Sequence, residues 1–233
     1  MEKKNKLYLD PHIHSNYSGD AMNSPQEIIK KSKSLGLNII AISDHNTVEG
    51  AKIAIKETKN DDDILVVPSI EISSSMGHIL GLGVEELIKK GLSPEETVDE
   101  IHSHGGLAIV AHPYCYYRHG LFCKYKNTDL KIDGVESKNA RYILGYSNSK
   151  GKKLAKKKKI AEIGSSDAHM IDFIMDCYTE IDCEMDIDSV LKAVKMRKTK
   201  AMGSGTSNIK LSKFLYQKYI KKLWLKFRIN NHI

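Results

Sequence analysis

The chain has 233 residues and a formal net charge of +7, which is length enough for one α/β barrel with a short appendage. No apolar run approaches the roughly 18 to 20 residues of a membrane span, and no apolar core follows the Met-Glu-Lys-Lys-Asn start, so neither a span nor a signal peptide is expected and a cytoplasmic location is. The charge belongs to the tail: Ile209 to Ile233 holds seven of the 36 basic residues and no acidic ones, leaving 29 basic against 29 acidic elsewhere.

In chain order, β-branched apolar runs alternate with helix-like segments, the pattern of βα units around a mostly parallel sheet or barrel. The first run is Leu7 to Ile13. Ser24-Pro25-Gln26-Glu27 then supplies an N-cap, a proline at the first helical position and a glutamate that reaches back, and Gly36 stops that helix. Runs at Leu37 to Ser43, Ile64 to Ile72 and His78 to Gly83 follow. Ser93-Pro94-Glu95-Glu96 repeats the start signal for a helix closed by Gly105-Gly106. Strands are then expected at Leu107 to His112, Gly134 to Ser137, Ile160 to Ser165 and Cys177 to Cys183, with helices at Asn148 to Lys159 and Asp188 to Lys198. The lysines of 152–159 read as the solvated outer face of a helix. Cys115, Cys123, Cys177 and Cys183 form no CxxC pair, so reduced thiols are expected rather than a disulfide framework or a zinc site.

Histidines and acids fall repeatedly at strand ends. Asp10-Pro11-His12-Ile13-His14 closes the first run, Asp44-His45 the second, Glu71 the third, His112-Pro113 the fifth and Asp167-Ala168-His169 the seventh, whereas His78 begins the fourth. In a parallel barrel the strand C-termini share one rim, so these residues converge. A His-x-His pair on a strand aims both imidazoles to one side. Any one of these residues alone is explained by a backbone hydrogen bond or a helix cap. Gathering so many titratable groups without cations would cost several kcal/mol of desolvation, and bound divalent ions offset that cost.

The segments DPHIHSNYSGD, AISDHNTVEG, VPSIEIS, GHILGLG, GGLAIVAHP and GSSDAH resemble the successive motifs of the polymerase and histidinol phosphatase (PHP) superfamily, from Leu7 to about Gly205. The resemblance implies an α/β fold, a distorted (β/α)7 TIM-like barrel over residues 1–205; the residue spacing of 206–233 separately reads as a basic amphipathic C-terminal helix. It implies a trinuclear centre of zinc, manganese or iron. His12, His14, Glu71 and Asp167 would hold one ion, Glu71 would bridge to a second held by His78 and His112, and Asp20, His45 and His169 would hold the third. His12, His14, Glu71, His112, Asp167 and His169 would carry catalysis, and Asp10 and Asp44 would orient imidazoles from behind.

The implied activity is hydrolysis of a phosphomonoester, of nucleotide type, by water whose pKa the ions lower toward about 7. Arg118, Lys138 and Arg141 follow strand ends and are candidates to grip the phosphate, though each also reads as a solvated loop cation. The leaving-group acid is open between His169 and a water. His102 and His104 read as histidines of a helix C-terminus, not ligands. Alternative readings are a 3'-5' exonuclease or oligonucleotide phosphoesterase, and a non-catalytic RNA-binding barrel, against which the intact ligand set counts. Leu211, Phe214, Leu215, Ile220, Leu223, Trp224 and Phe227 recur near helical spacing among lysines. That tail would pack on the barrel, lie on an anionic surface such as RNA or lipid, or form a dimer contact.

Overall fold

The expected alternation folds into two mixed sheets with helices against their outer faces. The computed structural model describes residues 6–126, 129–142, 146–213, 216 and 220. Its strands are β1 (Lys6–Ile13), β2 (Ile39–Ile42), β3 (Leu65–Val66), β4 (Ser69–Ser73), β5 (His78–Leu82), β6 (Leu107–Val110), β7 (Gly134–Asn139), β8 (Ala161–Ser165), β9 (Cys177–Asp182) and β10 (Thr199–Gly203). One sheet has the order β10-β9-β1-β2-β3 and the other β4-β5-β6-β7-β8. The fold is therefore α/β with two five-stranded sheets, and no continuous ladder closes them into one ring among the described residues.

The helices are α1 (Pro25–Ser34), α2 (Glu49–Glu57), α3 (Pro94–Ser103), α4 (Tyr146–Lys158) and α5 (Ile187–Lys195). Both predicted capping boxes form, Ser24 with Glu27 and Ser93 with Glu96. The sequence reading lacked α2, because Val48 at its N-cap makes no side-chain hydrogen bond and so leaves no start signal. It also lacked β10, a lysine-bearing, half-exposed edge strand of linker-like composition. The run Ile64 to Ile72 breaks into two strands around Pro68, which has no N–H to donate to a ladder.

The apolar core lies in three layers. Leu9, Ile39, Leu80, Ile109 and Ile163 fill the space between the sheets. Ile28, Ile40, Ile42 and Phe173 join the first sheet to α1, and Ile70, Ile79, Val98, Ile101 and Val110 join the second sheet to α3. The sheets also touch directly where β8 meets β9: Thr179 Oγ1 donates to the Gly164 carbonyl at 2.8 Å and accepts from its N–H at 2.9 Å. A Cβ on Gly164 would lie 2.1 Å from the Tyr178 carbonyl oxygen. Gly164→Ala is accordingly expected to lose about 1–3 kcal/mol of stability or more, read by urea unfolding, because backbone rather than a flexible side chain must move.

All four cysteines are free thiols. Among the described residues no helix is long and apolar enough to cross a membrane. The predicted basic helix begins at 208, with Leu211 packed on the first-sheet cluster and Lys213 paired with Asp172 at 2.8 Å. Most of the residues on which the 206–233 helix was read lie outside the described residues.

Candidate metal centre

Two β-bulges set which side chains face the space between the sheets. In β1, Leu9 faces inward, so strict alternation would turn His12 and His14 outward. The pairing with β2 slips between Asp10 and Ile13, Asp10 facing Ile40 and Ile13 facing Ile42. That slip reverses the parity: Ile13 packs outward in the α1 layer, and both histidines enter the interior, fully buried. Glu71 needs no bulge, since Ile70 and Ile72 on either side pack outward. β5 runs antiparallel to β4, with His78 opposite Ser73, which is why His78 starts its strand and still reaches the same rim.

The nine predicted ligands come together. Glu71 lies at their centre. Its Oε2 is 3.4 Å from His12 Nε2, 3.3 Å from His14 Nε2 and 2.9 Å from His45 Nδ1. Its Oε1 is 3.0 Å from His78 Nδ1 and 3.1 Å from His112 Nε2. Asp167 Oδ1 lies 3.6 Å from His14 Nε2 and 3.9 Å from His12 Nε2. Asp20 Oδ2 is 2.9 Å from His169 Nε2 and 4.0 Å from His45 Nε2. The ligand atoms of His14, Asp20, His45 and His169 converge closely enough for one ion, as do those of His12, His14 and Glu71 and those of His45, Glu71 and His78. His112 and Asp167 both hold positive φ, 28° and 52°, backbone strain of the kind that gathers at functional sites.

The residues fit divalent cations. His12 Nδ1 faces Glu136 Oε1 at 2.7 Å and His14 Nδ1 faces Ser18 Oγ at 2.9 Å, so both Nε2 atoms turn inward, only 2.9 Å apart. Glu71 Oε2 is buried with no hydrogen bond although three imidazole nitrogens surround it. Inward-facing nitrogen and oxygen atoms at such spacings match the borderline donor set of zinc, manganese or iron.

Electrostatics support the same fit. Burial alone would depress His12, but the charges of Asp167, Glu71 and Glu136 raise its pKa well above the usual value. Burial also opposes the charge of His45, and Glu71 with Asp20 outweighs it. His112 is pushed down to about 4 by burial and by Arg118, and burial with Arg141 lowers His169. Thus a proton on His12 offsets the carboxylates where an ion would, and an ion must displace it. Apparent affinity for ions is expected to rise from pH 6 to 8 as the raised imidazoles of His12 and His45 give up their protons. Manganese titrations at pH 6, 7 and 8 check this, and a flat profile would contradict it.

The side chains behind the ligands differ from expectation. Asp10 and Asp44 do not orient imidazoles. Asp10 accepts from the N–H of Ser166 at 3.0 Å and of Met175 at 3.2 Å, and Asp44 accepts from the Ser15 N–H and hydroxyl. Both acids brace the loops that carry ligands. The orienting acid is Glu136, which sequence reasoning missed: it takes His12 Nδ1 at 2.7 Å, the His112 N–H at 2.6 Å and Asn139 Nδ2 at 2.8 Å. An acid inside the buried Gly-Val-Glu-Ser run was the available signal.

Of the three predicted phosphate-gripping cations, two reach the cluster. Arg118 pairs with Asp167 Oδ2, and Arg141 Nη1 lies 3.2 Å from Asp167 Oδ1 and 2.8 Å from His169 Nδ1. Lys138 does not. A bulge between Glu136 and Lys138 turns it away, and its Nζ donates to the Gly203 carbonyl at 2.7 Å. Asn139 takes the inward place instead, donating to Asp167 Oδ2 at 3.0 Å. His102 and His104 stay off the cluster, His102 on Asp133 and His104 at the C-cap of α3.

The chain is similar to known proteins in sequence and in fold. The sequence matches the PHP domain over residues 10–97 and the PHP-associated region over 145–199. It is 38% identical over 156 residues to an uncharacterized protein of Methanocaldococcus jannaschii, covering 61% of this chain and 88% of that one. A two-domain protein of Bacteroides vulgatus, described as containing a predicted PHP-like metal-dependent phosphoesterase, superposes with a TM-score of 0.75 at 18% identity, over 94% of this chain and 71% of that chain. Endonuclease Q, solved with a 27-mer duplex bearing an abasic lesion at its active site, superposes with a TM-score of 0.68 at 18% identity, over 86% of this chain and 60% of that chain. The motifs, their order along the strands and these matches agree: the chain belongs to the PHP domain family.

Proposed function

We propose that this chain is a metal-dependent phosphoesterase that hydrolyses a phosphomonoester of the nucleotide type. The observation that carries the reading is Glu71, one buried carboxylate ringed by five imidazoles, with two arginines at the edge of the cluster. Three divalent ions held by the nine ligands would lower the pKa of water toward about 7 and offset charge gathering on the phosphoryl oxygens. Zinc, manganese and iron each suit the donor set.

The protein's own groups do the rest. Glu136, an acceptor only, fixes the tautomer of His12 so that its Nε2 lone pair faces the interior, and Ser18 holds the ring of His14 in place. Arg118 and Arg141 supply planar forks that match phosphate oxygens, and Asp167 holds them at the mouth. His169, bonded to Asp20 and lowered in pKa by burial and by Arg141, is a neutral imidazole suited to holding an ion, so the proton for the leaving oxygen would come from water. The likeness in fold to endonuclease Q favours a second reading, a phosphoester at the end of an oligonucleotide.

The two sheets read as halves of a (β/α)7 barrel over residues 1–205. Isolated bridges support this at both seams, Ile13 with Ala168 and His45 with Glu71. The basic segment 206–233 reads as an appendage whose first turn packs on the barrel.

Phosphate release by the purified full chain is the test, with nucleoside mono- and bisphosphates and sugar phosphates as substrates and with each of the three metals. Release stimulated by at least about a hundredfold over a chelated control is expected. Release that ignores chelation, or none with any metal, would reject the reading.

A further inference from the structure

The mouth of the cluster carries an aromatic surface that the chemistry above does not use. Tyr116, Tyr117 and Arg118 form one 3-10 turn directly after the His112-Pro113 strand end. At three residues per turn, successive side chains point about 120° apart. Arg118 therefore enters the cluster and meets Asp167, while Tyr116 and Tyr117 stand 79% and 60% exposed. Tyr117 remains tied to the site, its hydroxyl donating to the Arg141 carbonyl at 3.4 Å.

The first turn of α4 extends this surface. Tyr146 is 68% exposed, and the Ser147 hydroxyl donates to the Tyr114 carbonyl at 3.1 Å. Lys150 Nζ lies 4.5 Å from the Tyr146 ring centre and 5.3 Å from that of Tyr114. A single exposed tyrosine needs no explanation. Two of them in a loop that also sends an arginine to the ion cluster, and a third under Lys150 at the start of a helix hydrogen-bonded to that loop, pair ring faces with cationic charge. That pairing suits a ligand with flat bases on an anionic backbone, because every base offers a π-face while lysine and arginine meet phosphate.

We propose that Tyr116, Tyr117 and Tyr146, with Lys150, form a stacking platform for the bases of a nucleotide or short single-stranded nucleic acid whose phosphate lies at the ion cluster. This rests on the phosphoesterase reading and extends it: the arginines and ions take the phosphate, and the tyrosines select a substrate that carries a base. The platform is indifferent to base identity, since no hydrogen-bonding side chain is needed for stacking.

The test is binding by the full chain of a phosphorothioate-linked trinucleotide carrying 2-aminopurine, whose fluorescence is quenched when it stacks, against an abasic trinucleotide of equal charge as competitor. The base-bearing ligand is expected to bind on the order of tenfold tighter than the abasic one and to be quenched. The double variant Tyr116→Ala with Tyr146→Ala should lose both the preference and the quenching, and Tyr116→Phe with Tyr146→Phe should keep them. Equal binding of the two ligands by the unaltered chain, or a preference that survives the alanine pair, overturns the proposal. Because the readout needs no turnover, its failure is distinct from a failure of phosphate release.

Discussion

Glu71→Gln is expected to reduce kcat/KM for phosphate release by at least about a thousandfold, with the far-ultraviolet circular dichroism unchanged. Five imidazole nitrogens lie within 3.4 Å of its two oxygens, more than surround any other carboxylate among the described residues. Burial works against its charge, but His12, His78 and His45 hold its pKa well below the usual carboxylate range, and it is ionised at neutral pH. The amide keeps the shape and removes both the charge and one acceptor oxygen. Its N–H groups would face nitrogen lone pairs meant for ions. Initial rates at saturating manganese provide the measurement, and activity within tenfold of the unaltered protein would place the chemistry elsewhere.

Glu136→Ala is expected to cost about 3–5 kcal/mol of stability in the ion-free protein, because it strips the partner from a buried, charged His12. The same change leaves the His112 N–H, the Ser165 hydroxyl and the Asn139 amide without their common acceptor. Glu136→Gln separates shape from charge. It should keep most of the stability and weaken ion binding by about 10–100-fold, the usual effect of losing an acid behind a ligating imidazole. Urea unfolding reads the first effect and calorimetric titration with manganese the second. A Glu136→Gln protein with unaltered ion affinity would show that His12 needs no orienting acid.

The strand ends were legible because a strand's apolar run and its terminal histidine or acid lie together in the sequence. Seven of the nine proposed ligands were legible that way; His78 begins its strand, and Asp20 came only with the family resemblance. The bulges were not legible. One extra residue in β1 or β7 changes no composition, yet the first turns His12 and His14 inward and the second swaps Lys138 for Asn139. Helix α2 escaped for want of a polar cap at Val48, and β10 because an exposed, lysine-bearing edge strand has a linker's composition. The split into two sheets was also hidden, since ladder pairing at the β3/β4 and β8/β9 seams depends on twist, not on residue type. Glu136 was within reach: the strand-end rule that found Glu71 applies to it equally.

The most direct measurement is the number of metal ions carried per chain after dialysis against manganese, determined by plasma mass spectrometry on the full chain and on Glu71→Gln. About three ions on the unaltered chain and fewer than one on the variant are expected if a shared carboxylate binds the cluster together. A chain that retains no ions, or a variant that retains as many as its parent, would contradict that claim.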